Sequence, residues 1–220
     1  MQKNPFTLPF DKLPVTIPVF PLEGAVVMPG TELPLNIFEP RYLHMVFDVL
    51  AIHRMLGMVQ PAVAELRQSA PTLSATGCAG RVKWFSETDD GRILIVLRGV
   101  CRFDVGEEVA TTRPYRKVVA EWQRFATDYE ELDTALPERN HIVALLRTYS
   151  KTLGLDIAWD ELSKLSGTRL INWLATSLPL TPTDKQSLIE AVRLVDRAQI
   201  LSALLEMYIA RPQGASATRH

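Results

Sequence analysis

The segment Ile17–Val46, IPVFPLEGAVVMPGTELPLNIFEPRYLHMV, constrains the fold more than any other part of this chain. It is strongly apolar, yet it carries five prolines and two glycines. Proline fixes φ and offers no N–H, so this stretch can form neither one long helix nor an unbroken central strand. It must be short extended pieces separated by turns. Val15, Ile17 and Val19 alternate with Thr16, Pro18 and Phe20, which predicts a strand confined by its prolines to a sheet edge. Residues 25–28 (AVVM) predict a second short strand, closed by the turn pair Pro29-Gly30. Leu33, Leu35 and Ile37 predict a third. Pro40 suits the first position of a helix, here expected to reach about Arg54 with Leu43, Val46, Phe47 and Leu50 on one face.

The β pattern continues. Residues 56–59 (LGMV) read as a strand and residues 60–75 as a long loop. Residues 78–85 and 92–98 flank Asp90-Gly91, a strong hairpin signal; the second of these strands is apolar on both faces and is expected at the centre of a sheet or barrel. Gly99 predicts a bulge before a strand at 101–105, and residues 115–122 supply one more. Many short strands with one inserted helix suggest a small, partly closed barrel over residues 15–127, after an N-terminal extension of residues 1–14.

Between Asp128 and Glu138 the composition shifts to five acids and no base, which reads as a solvated connection. Beyond it the apolar period becomes helical. Pro137 opens a helix with Ile142, Leu145, Leu146, Tyr149 and Leu153 on one face, ending at Gly154. A second segment starts at Trp159 and breaks at Gly167. Thr168 then reads as the cap of a helix through Leu178, with Leu170, Ile171, Leu174 and Leu178 inward. Thr181-Pro182-Thr183-Asp184 reads as the start of a last helix, running to about Ala210. Its stripe is Leu188, Ile189, Val192, Val195, Leu201, Leu204, Leu205 and Tyr208. The fold class expected is α+β: a small β-barrel, a helical bundle over 128–210, and a frayed tail at 211–220.

Composition excludes more than it identifies. The formal net charge is −1, so no bulk electrostatic term favours a polyanion. Cys78 and Cys101 lack the spacing of a zinc site or a disulfide framework and read as buried strand residues of a reducing cytoplasm. The longest uncharged run, residues 170–183, is too short to cross a bilayer and contains two prolines. Prolines also interrupt the N-terminus where a signal peptide needs an apolar run. No phosphate loop or nucleophile elbow is present. His44, His53, His141 and His220 have no ligand spacing, so no metal or other cofactor is expected. Ser150-Lys151 and Ser163-Lys164 cannot form a Ser–Lys dyad from adjacent helical positions and read as solvated surface. Asp89-Asp90 reads as turn chemistry. Glu39 and Arg41 frame a helix start, either as a local ion pair pinning the corner or as a recognition element.

Taken together, PVFPLEGAVVMPGTELPLNIFEPRYLHMV resembles the opening signature of the N-terminal, substrate-binding domain of the Lon ATP-dependent protease family. Pro18, Phe20, Pro21, Leu22, Pro29, Gly30, Leu33, Pro34, Leu35, Ile37, Phe38, Glu39, Pro40, Arg41 and Tyr42 all fit that pattern. GCAGRVKWFSETDDGRILIVLRGVCRF is similar to the family's hairpin, with Gly80, Arg81 and Val82 a mild departure. LPLTPTDKQSLIEAVRLVDRAQIL is similar to its last helix entry. The resemblance implies a PUA-like barrel followed by a helical bundle. It implies neither ATP hydrolysis nor proteolysis, because this sequence has no phosphate loop and no room for a motor or peptidase domain.

The resemblance therefore leads to an expected role without catalysis, that of a stand-alone module binding unfolded or degron-bearing polypeptides, with a protease or chaperone as a further partner. Its candidate contact residues are Phe20, Phe38, Glu39, Arg41 and Tyr42, on the argument that a prolyl edge beside a helix corner leaves apolar side chains without a regular neighbour. Two rival readings remain. One is an enzyme with a small-molecule site in the barrel mouth or the cleft between subdomains. The other is a PUA-like RNA-binding module using Arg113, Arg116 and Lys117. No membrane partner is expected.

Overall fold

The computed structural model describes residues 6, 8–62, 71–129 and 136–210. The acidic run 130–135, half of the expected loop 60–75 (residues 63–70) and the tail 211–220 therefore lie outside the described residues. In chain order the first part holds β1 (Thr16–Pro21), β2 (Glu32–Ile37), α1 (Pro40–Leu50), β3 (Met55–Val59), β4 (Thr76–Glu87), β5 (Ile93–Glu108) and β6 (Lys117–Glu121). A short 3-10 segment, Gln123–Tyr129, leads to α2 (Arg139–Leu153), α3 (Trp159–Ser163), α4 (Gly167–Ser177), α5 (Pro182–Glu190) and α6 (Leu194–Ala210). The strands form one six-stranded sheet in the order β2-β5-β4-β3-β1-β6, and β6 also pairs with β5, so the ladder returns on itself. Only β1 and β3 run parallel among these pairs.

The prolyl strand is not at the edge. β1 lies between β3 and β6, and the way its registers divide explains why prolines are tolerated there. Thr16–Pro18 pair with β6, whereas Val19–Pro21 pair with β3, so each half is laddered mainly on one side. β2 takes the edge instead.

Residues 25–28 form no strand. They run extended between two cores: Val26 and Met28 join the helical cluster, and Val27 joins the cluster beneath α1. Alternation there records two apolar neighbours rather than a sheet partner. The turn that follows is as expected, with Gly30 at φ 82° and the Thr31 N–H donating to the Met28 carbonyl at 2.9 Å.

α1 stops at Leu50 and turns a different face inward: Tyr42, Met45, Val46 and Val49 are buried, while Phe47 is exposed. The hairpin forms as expected, but β5 continues unbroken to Glu108. Gly99 marks a slip in pairing, since Ala79 faces Cys101 while Gly80 faces Gly99. It must be glycine for a further reason, because a Cβ there would lie 2.0 Å from the Met28 carbonyl oxygen. β5 is flanked on both sides, but in its first half one face stays open, with Leu94 exposed.

In the helical part, α2 ends on Gly154 at φ 64°, the left-handed cap its position predicts. Leu153 is exposed, and Ser150, expected on the surface, is buried with its hydroxyl donating to the Arg147 carbonyl. Ser166, not Thr168, precedes α4. Thr181 caps α5, its Oγ1 accepting the Asp184 N–H at 3.2 Å.

The expected long last helix is broken at residues 191–193, and Val195 is exposed. The break has a tertiary cause. Arg102, fully buried on β5, donates to the carbonyls of Ile189 (3.0 Å), Ala191 (2.6 Å) and Val192 (3.2 Å), three groups that a continuous helix would otherwise use. Asp128 balances that guanidinium with contacts of 3.0 and 2.8 Å, and accepts the Arg102 backbone N–H at 2.9 Å. Asp128 is thus a buried partner rather than part of a solvated connector.

Candidate functional site

The five sequence candidates separate into floor and surface. Phe20 and Tyr42 are buried against each other, with ring centroids 4.1 Å apart, in the cluster between α1 and the sheet. Burial raises the Tyr42 phenol above its ordinary pKa, with the nearby Arg41 cation opposing the rise. Glu39 and Arg41 form an exposed ion pair at 2.8 Å, and the Arg41 guanidinium lies 4.6 Å from the Tyr42 ring centroid. These four residues fasten the corner where β2 turns into α1. Phe38 alone of the five is an exposed aromatic, at 61%. Arg92, held by Asp90 at 2.8 Å, lies 5.9 Å from its ring.

What lies beside Phe38 was not apparent from the sequence. Cross-strand partners share a face of the sheet. One face of the β2-β5-β4 ladder therefore carries the row Pro34–Val96–Trp84 and, next to it, Asn36–Leu94–Ser86. Trp84 is 50% exposed and Leu94 37%. Phe38, just past the end of β2, extends this open apolar strip. Further along, the same face is closed by Ala79, Cys101, Phe103, Phe125 and Leu13, so burial and exposure occupy opposite ends of one surface. A pairing irregularity between Val82 and Trp84 puts Trp84 on the face away from the Val82 core. The signal available in the sequence was the Lys83-Trp84-Phe85 triplet, where strict alternation fails.

The clefts are of a different character. One of about 290 Å³ lies between the start of β1 and the end of α1, lined by Val15, Pro18, Asp48, Ile52, Tyr115 and Lys117. The Tyr115 hydroxyl there donates to Asp48 at 2.6 Å, and burial, then that carboxylate, pushes its pKa up to about 12. Another, of about 180 Å³, lies between Gln60, Pro61 and α5. Its polar groups are engaged in holding the two parts together: Gln60 Nε2 donates to the Pro182 carbonyl at 2.9 Å, and Gln60 Oε1 accepts the Gly24 N–H at 2.9 Å. His53 also lines the first cleft, where its Nδ1 accepts the Met55 N–H at 3.3 Å. Of the three basic residues read from the sequence, Arg113 is paired with Asp48 and Arg116 with Glu108. Among the described residues no group of three or more His, Cys, Asp or Glu side chains could hold a metal ion. No helix there is long and apolar enough to cross a membrane. Cys78 and Cys101 are buried and unbonded to each other, their thiols pushed up chiefly by burial.

Comparison with known proteins decides the family. The family model described as the ATP-dependent protease La (LON) substrate-binding domain matches residues 16–207. The chain belongs to the Lon substrate-binding domain family. The Lon protease of Flavobacterium johnsoniae is 24% identical over 193 residues, covering 86% of this chain and 23% of that protein. Lon protease 2 of Bdellovibrio bacteriovorus is 23% identical, covering 94% of this chain and 26% of that one. The chain thus spans about a quarter of the length of these relatives. Two solved structures share the fold: a Lon N-terminal domain protein from Xanthomonas campestris (TM-score 0.64, 24% identity, 86% of this chain and 97% of that one) and the N-terminal domain of a Mycobacterium avium complex Lon protease (TM-score 0.65, 17% identity, 87% and 98%). The EPRY segment, residues 39–42, forms the corner between β2 and α1, and Phe38 just before it is exposed.

Proposed function

We propose that this chain is a non-catalytic polypeptide-recognition module that holds unfolded or degron-bearing segments on the open face of β2, β5 and β4. The observation that carries this reading is the exposed strip formed by Phe38, Trp84 and Leu94, at 61%, 50% and 37% exposure. Aromatic side chains left uncovered on a rigid sheet offer contact area that needs no reorganisation before binding. Weak, sequence-tolerant capture follows from an open surface rather than a closed pocket. Membership in the Lon substrate-binding family supports the same reading. We also read the ladder that returns from β6 to β5 as the small PUA-like barrel, residues 15–127, and residues 128–210 as the helical subdomain.

The test is a titration by fluorescence anisotropy of a reduced, unfolded polypeptide against a folded control. The unfolded chain should bind and the folded one should not. Because Phe38 is exposed, F38D should keep its circular dichroism and melting temperature while weakening binding several-fold. Equal failure of the wild type to bind either ligand overturns the proposal.

A further inference from the structure

The apolar strip ends against three arginines. Arg81 on β4 is the register partner of Arg98 on β5, which faces Glu32 on β2, and this row lies immediately beside Pro34–Val96–Trp84. Arg54, just ahead of β3, stands close by. Burial first, and then the Arg54 cation, hold the Arg81 guanidinium below its ordinary pKa. Arg54 itself occupies a left-handed conformation at φ 60°, the position after a helix where glycine is usual, with its N–H donating to the Val49 carbonyl at 2.8 Å.

Like charges set directly opposite each other on a sheet oppose its stability. Among the described residues the one carboxylate in this row, Glu32 opposite Arg98, is bonded to Lys83 instead. Glu32 is paired with Lys83 at 2.7 Å and Asp90 with Arg92 at 2.8 Å, and no ion pair reaches Arg54, Arg81 or Arg98. The Phe6 ring, 5.7 Å from the Arg81 guanidinium, adds an aromatic contact without neutralising the charge. Among the described residues this row carries an excess of positive charge, and beside an exposed aromatic row it is complementary to a ligand with both features.

We infer that the recognised polypeptide class is acidic and apolar: an extended segment whose aromatic or large aliphatic side chain covers Trp84 and Leu94 while a carboxylate two residues away meets Arg81 and Arg98. The spacing follows from the sheet. Rows on one face of a strand repeat every two residues, about 7 Å, and an extended peptide lying along the strands has the same period. This rests on the polypeptide-binding reading above and adds the charge and register of the ligand. A protein ligand fits better than a nucleic acid. The arginine row is short, it abuts apolar surface, Arg113 and Arg116 elsewhere are already paired with acids, and the net charge is −1.

The test uses the full chain and four labelled probes followed by anisotropy. Three are twelve-residue peptides sharing one aromatic residue, with Glu, Gln or Lys two positions away; the fourth is a single-stranded RNA oligonucleotide. The Glu peptide should bind roughly tenfold more tightly than the Gln peptide at low salt, the scale of two partly exposed charge pairs, and the gap should close in high salt. The R81Q/R98Q variant should abolish the gap while leaving the Gln peptide's affinity unchanged. It removes a repulsion and should fold; if it does not, R98Q alone provides the same comparison. Equal affinity for the three peptides overturns this inference and leaves the polypeptide reading standing. Failure of all three peptides overturns that reading as well. RNA bound more tightly than the Glu peptide, through the same arginines, overturns the inference in favour of a polyanion site.

Discussion

Phe20 and Phe38 have similar sequence surroundings, each in a proline-punctuated apolar run, and the structure assigns them opposite roles. Phe20 is 8% exposed and packed on Tyr42; Phe38 is 61% exposed. No periodicity argument separates them, because Phe38 lies one residue beyond β2, where alternation has already ended. His53 carries a residue-scale consequence for stability. Its Nδ1 accepts the Met55 N–H at 3.3 Å, so the imidazole is neutral in that bond. Burial, and then the Lys117 cation, hold its pKa below the ordinary 6.5. The unfolded chain therefore takes up this proton more readily than the folded one. The contribution is fully present above pH 6.5 and is lost as pH falls from there to the folded pKa, below which the loss stays constant. The melting temperature should decline below pH 6.5, and H53N, which keeps an acceptor but does not titrate, should show a shallower decline. Identical slopes in the two proteins would remove His53 from the account.

At the scale of elements, the break between α5 and α6 shows how a side chain from a distant strand edits a helix. The apolar stripe from Leu188 to Tyr208 favours continuity, and intrinsic propensity gives no reason to stop at residues 191–193. The Arg102 guanidinium needs buried acceptors, and the carbonyls of Ile189, Ala191 and Val192 are what it finds. Asp128 completes the arrangement with a side chain only 6% exposed. Removing one partner of such a pair strands the other charge, so D128A should lower stability by about 3–5 kcal/mol, read as a fall in the urea midpoint. A change below about 1 kcal/mol would mean that the carbonyls alone suffice for Arg102. Arg197, next in line, shows the same crowding: burial and then the Arg102 cation lower its pKa to about 10.

Over the whole molecule, the sheet and the helical bundle share structure rather than merely adjoining. Val26 and Met28, from the opening segment, are buried in the helical core; the Asn172 amide donates to the Pro29 carbonyl at 2.9 Å, and Lys185 donates to the Gly24 carbonyl at 3.0 Å. M28A should therefore cost about 2–5 kcal/mol and shift one cooperative unfolding transition of the whole chain. Two separated calorimetric transitions, with only the helical one displaced, would show that the parts unfold independently.

The family and the main turns and caps are legible in the chain alone, because they rest on local properties. Pro29-Gly30, Asp90-Gly91, Gly154 and Thr181 each act through backbone geometry or a hydrogen bond within a few residues, and each stands where it was expected. Which residues face which neighbour is set by long-range packing instead. β1 is interior because its two halves pair with different strands, residues 25–28 lie between two cores without a ladder, and α5 ends where Arg102 takes its carbonyls. The candidate surface belongs to that second group. Trp84, Leu94 and Phe38 meet only through cross-strand register, and register between segments far apart in the chain is set by packing that no local pattern encodes.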